Sequence, residues 1–144
     1  NRWKIVVLTR EDKVDQAISV VKLDMNRKAT SFDSSSKEIV EEDYDFNQIS
    51  RKLNRLMDGE KTISTFLQVY GVSHLNITYE SLNEDPSQTI EKVAEFCGIS
   101  VTDVEIETQF KIQRDAISTK WKDRWLKDAK VENPLFSSVA FFKR

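Results

Sequence analysis

The chain has 144 residues, of which 39% are apolar and 10% aromatic, which is enough for one domain with its own hydrophobic core. A net charge of -2 with 32% charged residues is typical of an ordinary protein surface and argues against a main ligand such as nucleic acid or an acidic membrane. The single cysteine, Cys97, excludes an internal disulfide and any multi-cysteine metal site, and no apolar run is long enough for an integral membrane segment.

The first predicted element is a buried strand. Residues 4–9, KIVVLT, are apolar on both faces, as is typical of a parallel strand covered by helices. The chain begins with Asn1 and enters this strand within a few residues. We therefore expect residues 1–144 to be a single domain that forms the C-terminal portion of a larger one. The cytoplasm is the default location.

A helix is predicted next, followed by a loop. Asp12 is placed to cap the helix, and the serine-rich stretch KATSFDSSSKE at residues 28–38 predicts a surface loop. The apolar positions of the helix are Val14, Ala17, Ile18, Val21 and Met25.

A long amphipathic stretch runs from Phe46 to Tyr70 and predicts one long helix or two shorter ones. Gly59 marks the expected break, because glycine inside a helix costs about 1 kcal/mol relative to alanine. Gly71 then predicts the end of the helix, since glycine readily adopts the left-handed conformation of a helix stop.

The second half of the chain starts with a predicted strand, HLNITY, at residues 74–79. Asp85 and Pro86 predict the start of another helix, and Gly98 its end. The remaining predicted elements are a short turn or helix at 100–105 and a basic helix at 114–130.

This order of elements predicts an α/β fold in which the strands run parallel. Two strands are too few for a complete sheet, so we expect the missing strands upstream.

The stretch LTREDKVDQAISV, residues 8–20, joins the first strand to its helix and has the chemistry of an anion site. Unpaired amides and the positive end of a helix dipole favour an anion at such a junction. Arg10 offers a planar fork for phosphate oxygens, and Ser19 lies on the same side of the helix as Asp12. The competing interpretation is a surface ion pair for Arg10 and simple packing for Ser19.

This stretch resembles the 3′-phosphate-binding segment of sulfotransferases that use 3′-phosphoadenosine 5′-phosphosulfate (PAPS), above all the bacterial trehalose-type sulfotransferases. Two further segments are similar to that family, ITYESLNEDPSQTIEKVAEFCGI at 77–99 and QRDAISTKWKDRW at 113–125. The matching residues of the first stretch are Arg10, Asp12, Lys13, Gln16, Ala17, Ile18 and Ser19.

The resemblance implies a P-loop-NTPase-like sulfotransferase fold and the transfer of a sulfuryl group from PAPS to a carbohydrate or glycolipid hydroxyl, without a metal. It assigns Arg10 and Ser19 to the 3′-phosphate, Tyr79 to the adenine and Glu80 to neighbouring backbone. A homodimer is the assembly that the family suggests. The counterparts in the late segment, also expected to bind the nucleotide, are Arg114, Trp121 and Arg124.

The sequence departs from the family in two respects. It contains neither the hydroxyl-rich loop that holds the phosphosulfate nor the acidic residue that serves as base. We therefore expect the N-terminal strand, this loop and the catalytic residues upstream, and we expect residues 1–144 to be inactive alone.

Two other interpretations remain open. A nucleotide or small-molecule kinase fragment would share the phosphate-binding layer, although the glycine-rich lysine loop is not in the sequence. A non-catalytic α/β interaction module would use its basic helix to dock on a partner.

Trp121 and Trp125, four residues apart, are expected to pack on the core, and His74 is expected to be a strand-edge residue rather than a ligand or base.

Overall fold

The computed structural model of the chain describes residues 3–32, 38–100 and 116–132. Two strands, five α-helices and a short 3-10 turn at Glu41–Asp43 lie in this part of the chain. The strands and α-helices are β1 (Ile5–Thr9), α1 (Lys13–Phe32), α2 (Phe46–Val69), β2 (His74–Thr78), α3 (Tyr79–Glu84), α4 (Pro86–Cys97) and α5 (Ala116–Glu132).

The chain divides into two compact units. The first comprises Asn1–Lys13 and Met57–Ile112, and the second comprises Val14–Leu56 and Gln113–Arg144. The first therefore contains both strands and the second half of α2, whereas the second contains almost all of α1, the first half of α2 and α5.

A two-stranded parallel sheet forms the centre of the first unit. β1 pairs with β2 from Ile5 opposite His74 to Thr9 opposite Thr78, which confirms the predicted strands and their parallel direction. The fold is mixed α/β and mostly helical. Because the strands are parallel and in register, their carboxyl ends lie next to each other at the same edge of the sheet.

The predicted helix boundaries in the first unit are confirmed. The Asp85 side chain accepts a hydrogen bond from the Gln88 amide at the start of α4, where Pro86 is the first helical residue. Gly98 ends α4 with φ of 73°, and Gly71 follows α2 with φ of 58°. Both glycines hold the left-handed conformation that side chains disfavour, which is why the helices stop there.

The predicted break at Gly59 is wrong, because α2 runs without interruption through this residue. The helical penalty of one glycine, about 1 kcal/mol, is small beside the burial of a large apolar side chain. In the second unit Ile49 is fully buried, and in the first Leu67 is 4% exposed. Burial on both sides of Gly59 thus outweighs the local preference.

The predicted loop at 28–38 is wrong in its first part. α1 continues through Lys28 to Phe32, and residues 33–37 lie outside the described part of the chain. Extending an existing helix costs far less than starting one, so α1 runs on into the first residues of the serine-rich stretch.

The core of the second unit is made by three helices. α1 contributes the fully buried Ala17, Ile18 and Val21, α2 contributes Ile49, and α5 contributes Trp121. These positions confirm the helical spacing predicted for α1. Trp125 packs at the border of this core, as predicted, and donates a hydrogen bond from Nε1 to Ser50 Oγ at 3.0 Å.

The basic helix predicted at 114–130 is confirmed as α5, which carries both tryptophans. Residues 101–115 lie outside the described residues, and with them Arg114 and nearly all of the turn or helix predicted at 100–105. Of the helices described, none combines the length and the apolar character that a bilayer span requires.

Candidate functional site

An arginine and a tyrosine meet where the two parallel strands of the first unit end. Arg10 directly follows β1, and Tyr79 directly follows β2 as the first residue of α3. The Arg10 guanidinium carbon lies 5.2 Å from the centroid of the Tyr79 ring, within the range of a cation–π contact. The register of the sheet therefore brings together two residues that the sequence predicted for the nucleotide.

Glu80 forms hydrogen bonds with backbone amides where the strands end. Its carboxylate accepts hydrogen bonds from the Glu11 amide at 2.9 Å and from the Asp12 amide at 3.5 Å. Burial opposes the charged form, but these amide hydrogen bonds, together with its own amide and the Arg10 guanidinium, lower the pKa of the Glu80 carboxyl. The prediction that Glu80 bonds neighbouring backbone is confirmed, and it fills the amides that the junction offers to an anion.

Arg10, unlike Glu80, has a polar atom that forms no hydrogen bond with the described residues. Its side chain is only 20% exposed, and its Nε is buried without a hydrogen-bond partner among the residues described. Glu80 Oε1 lies 3.8 Å from this nitrogen, which makes an ion pair but is too long for a hydrogen bond. A buried donor without an acceptor costs about 1–3 kcal/mol. The Arg10 guanidinium therefore has hydrogen-bonding capacity that the described residues do not use.

Lys13, the third charged residue of the matching stretch, is engaged within the protein. It begins α1 and pairs with Glu60 of α2, so its charge is balanced in the first unit. We therefore count Arg10, and not Lys13, as the cation that this edge offers to a ligand.

Ser19 lies in the second unit, on an exposed position of α1. Its Oγ donates a hydrogen bond to the Asp15 carbonyl at 2.8 Å. Phosphate oxygens at neutral pH mainly accept hydrogen bonds, so the Ser19 hydroxyl must leave this carbonyl before it can donate to one.

Trp121 and Arg124 belong to a cluster around Tyr44 in the second unit. Trp121 is fully buried and donates from Nε1 to the Glu41 carbonyl at 3.2 Å, with its ring 6.2 Å from that of Tyr44. The Arg124 guanidinium carbon lies 4.3 Å from the Tyr44 ring centroid, and Arg124 Nε lies 4.0 Å from Asp128 Oδ2. We call Tyr44, Trp121, Arg124 and Asp128 the Tyr44 cluster.

The hydroxyl of Tyr44 is held by a carboxylate. Tyr44 Oη donates to Asp128 Oδ2 at 2.8 Å. Burial raises the pKa of Tyr44 above its ordinary range, and the hydrogen bond and negative charge of Asp128 raise it further. Sequence reasoning missed this pair because 84 residues separate its members and no motif links them.

The predicted site residues thus fall in three places. Arg10 and Tyr79 meet in the first unit, Ser19, Trp121 and Arg124 lie in the second, and Arg114 is outside the described residues. Within the described ranges, no three His, Cys, Asp or Glu side chains are grouped as metal ligands would be.

These features define a mixed α/β protein in which an arginine and a tyrosine meet at the end of two parallel strands. A family model described as Stf0 sulphotransferase matches residues 2–128. The chain belongs to this family of trehalose-type sulfotransferases, which confirms the resemblance seen in the sequence. Neither the curated proteins nor the solved structures contain a match to the chain.

Membership of this family also bears on the other interpretations. It supports a transferase of the sulfotransferase class, and so weighs against both the kinase-like fragment and the interaction module.

Proposed function

We propose that this chain holds the nucleotide end of PAPS while a sulfuryl group is transferred to a carbohydrate or glycolipid hydroxyl. The observation that carries the proposal is the state of Arg10, which is mostly buried, stacked on Tyr79 and left with an unsatisfied Nε. Membership of the sulfotransferase family supplies the class of reaction.

In this proposal Arg10 binds the 3′-phosphate through its planar guanidinium, which suits two phosphate oxygens at once. Tyr79 contacts the adenine, and its ring also fixes the direction of the guanidinium. Glu80 contributes by position, because it ties the start of α1 to the end of β2 and leaves the Arg10 Nε without a hydrogen-bond acceptor.

The roles of the remaining predicted residues come from the family resemblance. Ser19 would donate its hydroxyl to the 3′-phosphate, and Arg114 and Arg124 would add positive charge. Trp121 is fully buried, so its contribution would pass through the packing of the Tyr44 cluster rather than through its exposed surface.

The bound donor would supply the activated sulfuryl group. Arg10 and Tyr79 would hold the far end of the donor, so their contribution to rate would be positioning. The hydroxyl-rich loop and the carboxylate that removes the acceptor proton are assigned to sequence outside residues 1–144, within a P-loop-NTPase-like sulfotransferase fold.

Calorimetric titration with 3′-phosphoadenosine 5′-phosphate tests this proposal. The Arg10→Ala variant should bind about 10- to 100-fold more weakly, because it loses charge-assisted hydrogen bonds worth roughly 1.5–3 kcal/mol. Arg55→Ala removes an exposed arginine of α2 and serves as the control, with unchanged binding.

Adenosine 5′-phosphate separates recognition of the 3′-phosphate from recognition of the adenosine. It should bind weakly, and equally to the wild-type chain and to Arg10→Ala. Equal affinity of the wild-type chain for both nucleotides would contradict the proposed role of Arg10.

A further inference from the structure

Two of the residues around Arg10 belong to a very short helix. Tyr79 and Glu80 are the first two residues of α3, which is six residues long. A helix of this length is not stable by itself, because its few hydrogen bonds do not offset the entropy lost in forming the first turn. Contacts with neighbouring elements must therefore hold Tyr79 and Glu80 where they meet Arg10.

The end of β2 fixes the first turn of α3. The Ser81 amide donates a hydrogen bond to Thr78 Oγ1 at 3.0 Å, and Ser81 Oγ donates one to the Thr78 carbonyl at 2.9 Å. These hydrogen bonds cap the start of the helix, a role in which threonine is common. They connect α3 to the strand, but they do not set the direction of its other end.

Thr89 supplies a contact to that end from the next helix. It lies in α4, and its Oγ1 is 3.1 Å from the Ser81 carbonyl oxygen and 2.8 Å from the Asp85 carbonyl oxygen. The two carbonyls share one proton, because threonine carries a single hydroxyl hydrogen. The bond to Asp85 stays within one turn, whereas the bond to Ser81 crosses from α4 to α3 and restricts how the two helices lie against each other.

The burial of Thr89 indicates that this hydroxyl does more than fill space. Among the residues described, Thr89 is the most deeply buried polar residue, with 4% of its surface exposed. Valine has nearly the same volume and would not require the removal of a hydroxyl from water. Both carbonyls also accept from a backbone amide, Ser81 from Asp85 and Asp85 from Thr89. The hydroxyl is therefore not needed to satisfy them, and its remaining effect is to hold α3 against α4.

We propose that Thr89 is a positioning residue of the proposed nucleotide site, because its hydroxyl holds α3 in place. In that position of α3, Tyr79 stacks on the Arg10 guanidinium and Glu80 reaches the amides that follow β1. The inference rests on the proposed function, since it assigns Thr89 to the same site. Thr89 would touch no part of the ligand and would act through α3.

Calorimetric titration of Thr89→Val with 3′-phosphoadenosine 5′-phosphate measures the effect on the site. The variant should bind about fivefold more weakly, the effect of losing one hydrogen bond of roughly 1 kcal/mol. Thr89→Ser keeps the hydroxyl and should bind like wild type. Circular dichroism confirms that each variant is folded.

Thr62→Val is the matched control. Thr62 belongs to the same unit, and its Oγ1 donates to the Asp58 carbonyl at 2.8 Å, the same local bond that Thr89 makes with Asp85. This bond stays within one exposed turn of α2, so Thr62→Val should bind the nucleotide like wild type.

The carboxyl of Glu80 gives a second readout, which needs no ligand. Burial raises its pKa, but hydrogen bonds from backbone amides and the charge of Arg10 lower it overall, so this pKa depends on where α3 lies. NMR titration of the Glu80 carboxyl carbon should give a higher pKa in Thr89→Val than in wild type or Thr62→Val. A residue that only stabilised the fold would leave this pKa unchanged in the folded chain.

The outcomes separate this inference from the proposed function. If wild type binds the nucleotide and Thr89→Val binds it equally well, or if both valine variants lose the same affinity, Thr89 does not position the site. An unchanged pKa of Glu80 in Thr89→Val would also overturn the inference. If wild type itself fails to bind, the proposed function is wrong, and the Glu80 titration alone decides whether Thr89 positions α3.

Discussion

Two regions of this molecule combine an arginine, a tyrosine and a carboxylate, yet they differ in how far the arginine is buried and whether its Nε is a buried atom that lacks a hydrogen-bond partner among the residues described. At the edge of the sheet Arg10 stacks on Tyr79 beside Glu80, and in the second unit Arg124 stacks on Tyr44 beside Asp128. We call the first set, Arg10, Tyr79 and Glu80, the Arg10 cluster.

The two carboxylates accept hydrogen bonds from different groups. Asp128 accepts one from the tyrosine hydroxyl, and its 4.0 Å ion pair with Arg124 Nε is no shorter than the 3.8 Å pair of Glu80 with Arg10 Nε. Glu80 gives its oxygens to two backbone amides, and the buried Nε of Arg10 is left without a hydrogen-bond partner among the residues described. The same three chemical groups thus build a packing cluster in one unit and, in the other, the cluster where we propose that the nucleotide binds.

The two arginines also differ in the exposed fraction of their side chains. The side chain of Arg10 is 20% exposed and that of Arg124 is 58% exposed. Solvent and salt screen the charge of an exposed arginine, whereas a mostly buried one interacts more strongly with an anion. We therefore expect the nucleotide affinity to depend more on Arg10 than on Arg124.

The largest expected effect concerns the packing cluster. Trp121→Ala should lower the free energy of unfolding by about 3–5 kcal/mol, because it empties the centre of the second unit's core. Urea unfolding followed by circular dichroism measures the change. Trp3→Ala is the control, since Trp3 is 85% exposed and should change stability little. Similar results for both variants would show that Trp121 is not a core residue.

A smaller effect is expected from the carboxylate of the Arg10 cluster. Glu80→Gln should destabilise the chain by about 1 kcal/mol, because a neutral amide accepts backbone hydrogen bonds more weakly than a carboxylate. The lowered pKa of Glu80 means that its contribution is present above the ordinary value of 4.5 and is lost as the pH falls through the folded value.

The difference in the free energy of unfolding between wild type and Glu80→Gln should therefore disappear at low pH. Urea unfolding at a series of pH values measures this difference. Glu84→Gln, an exposed change in the same helix, controls for the loss of one negative charge. A gap that persists unchanged at low pH would contradict the assignment of the carboxylate to the two amides.

The smallest effect should come from the tyrosine of the packing cluster. Tyr44→Phe removes one hydrogen bond to a partly exposed carboxylate and should cost about 1 kcal/mol or less. Because the pKa of Tyr44 is raised, wild type should lose stability as the pH rises above the ordinary value of 10.0. The phenylalanine variant should lose less over the same range.

Thermal unfolding between neutral pH and strongly alkaline pH measures this difference. Tyr70→Phe is the matched control, because Tyr70 is 70% exposed. An alkaline loss of stability that is the same in all three proteins would rule out Tyr44 as its source.

Local signals in the sequence were sufficient for much of the fold. The apolar strand at the start, the Asp85–Pro86 helix start and the glycine stops at Gly71 and Gly98 each depend on a few neighbouring residues, and each is confirmed. The break expected at Gly59 failed because long-range burial outweighs a local penalty of about 1 kcal/mol.

The candidate site could be predicted only in part, and for a related reason. The motif after β1 identified Arg10, and the motif after β2 identified Tyr79 and Glu80. No local pattern indicated that Glu80 would leave the Nε of Arg10 without a hydrogen-bond partner.

The hydrogen bond from the Glu11 amide to Glu80 has a further consequence for how the Arg10 cluster forms during folding. It spans 69 residues, the same separation as every residue pair between β1 and β2. The entropy of closing this long loop is lost only once, so after the strands have paired, the Glu80 contacts require only local ordering. The Arg10 cluster is therefore inseparable from the sheet: a chain in which the strands have not yet paired lacks the cluster, and with it the proposed nucleotide site.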